Sequence, residues 1–211
     1  MLVKEAIDRY QRTNGLFKVL SAKFELEVFN GRDVAETFIY AEQKLPADIL
    51  ACLKDVYQFE SERSVFVEDF NWQNFKDHSL LVSDIISLGK DCLAQMTVQI
   101  SSQVILLESE WPWCQRSGQT ALGNHMEHIF QQNPSYFLTA IIPLRSSNTF
   151  YEYQFDVSGI MLIDLLSDSM TVTRAYELML EQLPRKEQDF EQRFYYYVRF
   201  FLYLGILGFK G

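Results

Sequence analysis

The run Phe194-Tyr195-Tyr196-Tyr197-Val198-Arg199-Phe200-Phe201-Leu202-Tyr203-Leu204 restricts what this chain can become more than any other stretch. Seven of the eleven residues are aromatic, and Arg199 is the single charge. It reads as the last helix of the chain, Gln188 to Leu204. A helix apolar on one stripe packs on one surface, whereas one apolar all round must be covered on several sides. The run falls short of the roughly 20 apolar residues that span a bilayer. The expectation is a central element, closed on one side by its own domain and on another by something else, a partner included.

At 211 residues the chain suffices for one substantial domain or two small ones. Its hydrophobic share of 48% and charged share of 22% are those of a globular protein, but 17 Phe and 11 Tyr make it unusually aromatic. The net charge of −9 opposes nucleic-acid binding, which needs a basic patch to neutralise phosphates. That charge permits a basic peptide or protein partner. Cys52, Cys92 and Cys114 make no paired framework. The residues after Met1 carry no apolar core of a secretory signal, and no window approaches a membrane span. A cytoplasmic protein with reduced thiols, and with no membrane partner, is expected.

Taken in order, Leu2, Val3, Ala6, Ile7 and Tyr10 fall at helical spacing, and Asn14-Gly15 predicts the end of that helix. Phe24-Glu25-Leu26-Glu27-Val28 alternates like a half-solvated strand. Residues 33–44 lean towards helix. Pro46 opens another helix through Phe59, followed by an irregular aromatic path from Glu60 to Asp77. Ser79 to Met96 predicts one long helix, and Thr97 to Leu107 a strand. Trp111-Pro112-Trp113-Cys114 and the following Gly118 punctuate the chain, and a short helix around Asn124 to Gln131 is expected next. A soft domain boundary is placed between 110 and 134. Tyr136 to Leu144 and Thr149 to Asp156 predict a β-hairpin, with Tyr151, Tyr153 and Phe155 on one face. Val157 to Leu166 is a short helix. Thr171 or Ser169 caps another that runs to Leu183, and Pro184 separates it from the aromatic helix.

Hairpin, short helix, turn, second helix and long third helix is a winged-helix order. Three stretches carry a more specific likeness: Phe155-Asp156-Val157-Ser158-Gly159-Ile160 through Leu166, then Ser167-Asp168-Ser169-Met170-Thr171-Val172, then Phe200-Phe201-Leu202-Tyr203-Leu204-Gly205-Ile206-Leu207. Residues 134–211 thereby resemble the PqqD-like family, the peptide chaperones of pyrroloquinoline-quinone biosynthesis, whose module is also called the RiPP recognition element. The match departs from the family pattern at Ser167-Asp168-Ser169, where Asp-Gly is usual, and at Ala175-Tyr176, where an aliphatic residue is usual. The resemblance implies an α+β chain: an N-terminal helical or α+β docking region, 1–133, and a C-terminal winged-helix module of β-hairpin plus three helices, 134–211. It also implies a binding mode, in which a precursor leader peptide adds as a strand to the sheet edge and rests against the third helix. Tyr151, Tyr153 and Phe155 on the strand, with Tyr195, Arg199 and Tyr203 on the helix, are the implied peptide contacts. Such a protein is a non-catalytic accessory subunit in ribosomal peptide natural-product biosynthesis. It forms a hetero-oligomer with a modifying enzyme, such as a multinuclear non-haem iron oxidase. The iron would then belong to the partner, and this chain would carry no cofactor.

Two other classes remain open on the residues alone. A small metal-dependent enzyme would use Cys114, His125 and His128, but Cys-x10-His-x2-His matches no common zinc spacing. No Gly-x-Ser-x-Gly elbow, Gly-x-Gly-x-x-Gly turn or phosphate loop occurs, so catalysis within this chain is not expected. A winged-helix transcription regulator would need a basic reading face, and Arg174 is the lone cation at the start of the second helix.

Overall fold

A computed structural model describes residues 9–26, 33–76, 81–114, 129, 132–144, 146–182 and 189–210. The fold is α+β. Its two compact units interleave along the chain: residues 1–70 with 107–139 form one, and 71–106 with 140–211 the other. The expected cut at 133/134 falls inside the first unit. The division passes instead through two strands, β2 (Ile105–Ser109) and β3 (Phe137–Leu144). Among the described residues, no helix is long and apolar enough to cross a membrane.

The first unit contains α1 (Gln11–Lys23), α2 (Val34–Lys44) and α3 (Ala47–Asp69). Of the helix expected over residues 2–13, residues 2–8 lie outside the described set; α1 begins at Gln11 and runs through Asn14-Gly15, where an end was expected. Two causes are visible. The Glu60 carboxylate of α3 accepts the Arg12 and Thr13 backbone N–H groups at 2.8 Å each, and the Thr13 hydroxyl at 2.8 Å, so the cap of α1 comes from 47 and 48 residues away. Leu16, Phe17 and Leu20 are buried, which holds Gly15 in helical conformation despite its poor propensity. Phe24 and Glu25 end this helix in a turn, with Glu25 at φ 51°, where a strand was expected; residues 27–32 lie outside the described set. The side chain of Asp33 caps α2 through the Ala35 N–H at 2.9 Å. Beyond Phe59, α3 continues for ten residues rather than turning irregular. No Pro or Gly interrupts it, and i,i+4 pairs support it: Gln58 donates to Glu62 at 3.0 Å, Ser64 to Glu68 at 2.8 Å, and the Phe66 and Phe70 rings lie 5.5 Å apart.

In the second unit the helix expected over 79–96 is broken at Leu88-Gly89 into α4 (Val82–Ser87) and α5 (Lys90–Gln95). The expected strand 97–107 is likewise two strands, β1 (Thr97–Ile100) and β2, separated by a turn at Ser101 to Val104. Then follow β4 (Thr149–Gln154), α6 (Val157–Leu165), β5 (Met170–Thr171), α7 (Val172–Gln182), α8 (Phe190–Leu204) and β6 (Leu207–Phe209). Two three-stranded sheets result, ordered β5-β1-β6 and β2-β3-β4. In the first, β1 runs antiparallel to both neighbours, with Val98 opposite Met170 on one side and Phe209 on the other.

The hairpin β3–β4 and the three helices α6, α7 and α8 form in the expected order. The sheet whose strands follow α6 and α8 is nevertheless a different one. Its outer strands β5 and β6 flank α7 and α8, and its central strand β1 arrives from far upstream. Strands of two and three residues are too short to leave a period-two pattern, so the sequence pointed to the longer hairpin instead.

Candidate functional site

Helix α8 is organised by its cap and by what its faces meet. Gly205 adopts φ 73°, a conformation that a side chain disfavours, and lets the Ile206 N–H reach the Phe201 carbonyl at 2.9 Å. Phe190, Phe194, Tyr195, Val198, Phe201 and Leu202 are buried. Phe201 packs against β4 and the chain leaving it, 5.9 Å from Tyr153 and 5.2 Å from Phe155 between ring centroids. Asp156 caps α6 by accepting the Gly159 N–H at 2.8 Å, and its second oxygen accepts the Tyr197 hydroxyl, tying α6 to α8. On another face, Tyr195 stacks on Tyr176 of α7 at 6.3 Å.

The remaining face carries aromatics that, among the described residues, stay exposed or half-buried. Tyr196 is 61% exposed and Tyr203 44%. Phe200 lies between them in sequence, half-buried and stacked nearly parallel on Tyr196 at 5.9 Å. Positions 196, 200 and 203 form one stripe at the i, i+4, i+7 spacing of a helix. Beside it stands β4, with Tyr153 5.5 Å from Phe200 and Tyr151 exposed. Among the described strands β4 has β3 as its only neighbour, so one row of its backbone groups has no strand partner.

Of the six residues singled out from the sequence, Tyr151 and Tyr203 are exposed, and Tyr153 and Arg199 are half-buried at this surface. Phe155 and Tyr195 are buried and back the surface from behind. Tyr196 and Phe200 were missed. Their spacing is visible in the sequence, but on a helix aromatic nearly all round no polarity marks the outward face. Burial pushes the Tyr153 phenol up to about 12, with Asp156 next in effect, and pushes Tyr197 up as well, reinforced by its bond to Asp156. Both phenols therefore stay protonated and uncharged across the physiological range.

Arg199 lies over the Tyr195 ring, 5.9 Å from its centroid, and donates to the Leu88 carbonyl at 3.5 Å, at the break between α4 and α5. Lys90 lies over the same ring at 5.4 Å, but its ammonium is held by Glu191 at 2.6 Å.

The first unit contains a cleft of about 790 Å³ lined by Asp55, Glu108, Glu110, Gln58, Lys54 and Tyr136, among others. Its best-defined group is structural. Asp55 accepts the Glu110 N–H at 2.9 Å, the Trp111 N–H at 3.2 Å and the Trp113 indole N–H. Cys114 is buried beside this clamp, while His125 and His128 lie outside the described residues. Among the described residues, no three His, Cys, Asp or Glu side chains gather where they would hold a metal ion.

The chain matches no protein-family model, and no curated protein matches its sequence.

Proposed function

We propose that this chain is a non-catalytic accessory protein that binds an extended precursor peptide and presents it to a modifying enzyme in ribosomal peptide natural-product biosynthesis. The peptide adds as a strand to the edge of β4 that no described strand pairs with, and lays alternate side chains on the Tyr196–Phe200–Tyr203 stripe. The observation that carries this reading is the juxtaposition of an edge strand with an uncovered aromatic helix face. Main-chain bonds at the edge supply affinity whatever the peptide sequence, and the side chains on the stripe supply specificity. Aromatic residues with few rotors are also efficient anchors, because little side-chain entropy is lost on contact. The modifying chemistry, in this reading, belongs to a partner such as a multinuclear non-haem iron oxidase.

Displayed peptides of about ten residues, enough for an extended strand to pass both β4 and α8, provide the test. Selected binders are expected to lose at least tenfold affinity on backbone N-methylation at alternate residues. The Tyr196→Ala/Tyr203→Ala double variant is expected to weaken them about thirtyfold, as for central interface anchors. Because both rings are exposed, the thermal midpoint of that variant should move by only a few degrees. Binders indifferent to both changes, or no binders at all, would sink the reading.

A further inference from the structure

Beyond the Tyr196–Phe200–Tyr203 stripe, on the side away from β4, helix α8 carries a charge. At about 100° per residue, Arg199 lies about 60° round α8 from Tyr196, on the side away from Tyr153 and Phe200. Its guanidinium is only partly solvated, since Arg199 is intermediate in burial and its planar head sits over the Tyr195 ring. Among the described residues it has no carboxylate partner. The acceptor it has among them is the Leu88 carbonyl, at the long limit of 3.5 Å. The neighbouring cation offers a contrast: Lys90 shares the Tyr195 ring but is neutralised by Glu191. A partly exposed guanidinium holds five donors in a fixed fork, and those not turned to the Leu88 carbonyl can meet a ligand. The group that fits the fork is a carboxylate, which accepts two parallel N–H bonds.

We propose that Arg199 reads a carboxylate side chain in the bound peptide, so that the peptide class taken here is one in which an Asp or Glu neighbours aromatic or aliphatic residues. The inference rests on the peptide-binding reading above and names the chemistry of its ligand. The apolar residues lie on Tyr196, Phe200 and Tyr203, while the acid reaches across the helix to Arg199. The chain as a whole is strongly acidic, which makes this local preference the opposite of what net charge alone would select.

The test uses the full chain and a synthetic array of peptides of about ten residues. In these, aromatic or aliphatic residues alternate with Asp or Glu, and matched arrays carry Asn or Gln, or Lys, at the same positions. The wild-type protein should bind acidic members about tenfold or more tighter than their amide counterparts, the range of a charge-assisted hydrogen bond. Arg199→Gln should erase that preference, and Arg199→Lys should retain part of it. Equal binding of acidic and amide peptides by the wild-type protein would overturn the role of Arg199 and leave strand addition standing. Binding of no array member would overturn both. The wild-type comparison alone decides the matter should either variant fail to fold.

Discussion

Phe201→Ala is expected to lower the stability of the unit that contains α8 by about 3–5 kcal/mol, the range for deleting a buried phenyl ring. Phe201 is wholly buried, and its ring meets Phe155 at 5.2 Å, Tyr197 at 5.8 Å and Tyr153 at 5.9 Å. The packing is also tight around Gly159 in the first turn of α6. A Cβ built there would stand 3.1 Å from the Phe155 ring and 3.2 Å from Phe201 Cζ. Neighbours fixed this closely by backbone have little freedom to refill the space, so the cavity term adds to the transfer term. Because Tyr153 and β4 rest on Phe201, peptide binding should weaken along with stability, unlike in the Tyr196/Tyr203 variant. Denaturant titration followed by tyrosine and tryptophan signals measures the loss. A loss below about 1 kcal/mol would mean that the β4–α8 contact is not the packed core described above.

Asp55→Ala is expected to cost about 3 kcal/mol in the other unit. It strands two backbone N–H groups, of Glu110 and Trp111, and the Trp113 indole N–H. Each stranded donor costs roughly 1–3 kcal/mol, less where water reaches it. Asp55→Asn keeps one acceptor oxygen and should cost about 1 kcal/mol. The pH dependence separates charge from hydrogen bonding. Burial holds the Asp55 carboxyl above its ordinary value of 3.8, outweighing the three hydrogen bonds that act to lower it. A carboxyl raised on folding binds its proton more tightly in the folded state. Its contribution to stability therefore improves as pH falls through the folded value, and is complete below 3.8. The gap between wild type and Asp55→Asn should thus widen on acidification, read from Trp111 and Trp113 fluorescence. A gap that narrows would show that the hydrogen bonds, and not burial, dominate this carboxylate.

Several elements were legible because their signals are local. The hairpin β3–β4 joins a near-continuous apolar strand to a more polar one across a polar turn, and Asn148 takes positive φ in that turn, as asparagine tolerates. Thr171 caps α7 by accepting the Arg174 N–H at 3.3 Å, one of the two caps anticipated. The candidate surface was legible in part: Tyr151 and Tyr203, named from the sequence, are exposed and Tyr153 and Arg199 half-buried, whereas Tyr196 and Phe200, the centre of the stripe, were passed over for the buried Tyr195. A helical wheel orients a helix only where polar and apolar faces differ, and on α8 they hardly do.

The sequence alone determined that the chain is α+β, that a long aromatic helix closes its last stretch, and that the hairpin lies upstream of three helices. These follow from short-range periodicity, caps and breakers, which act within a turn or a strand. Tertiary structure alone decided where α1 begins, because its cap is Glu60 on another helix. It also decided which sheet frames the helices, because β1 is recruited as the middle strand between two strands too short to be seen in advance. Finally, it decided which side of α8 faces outward. That choice depends on what β4, α4, α6 and α7 cover, and not on anything the eleven residues from Phe194 to Leu204 say among themselves.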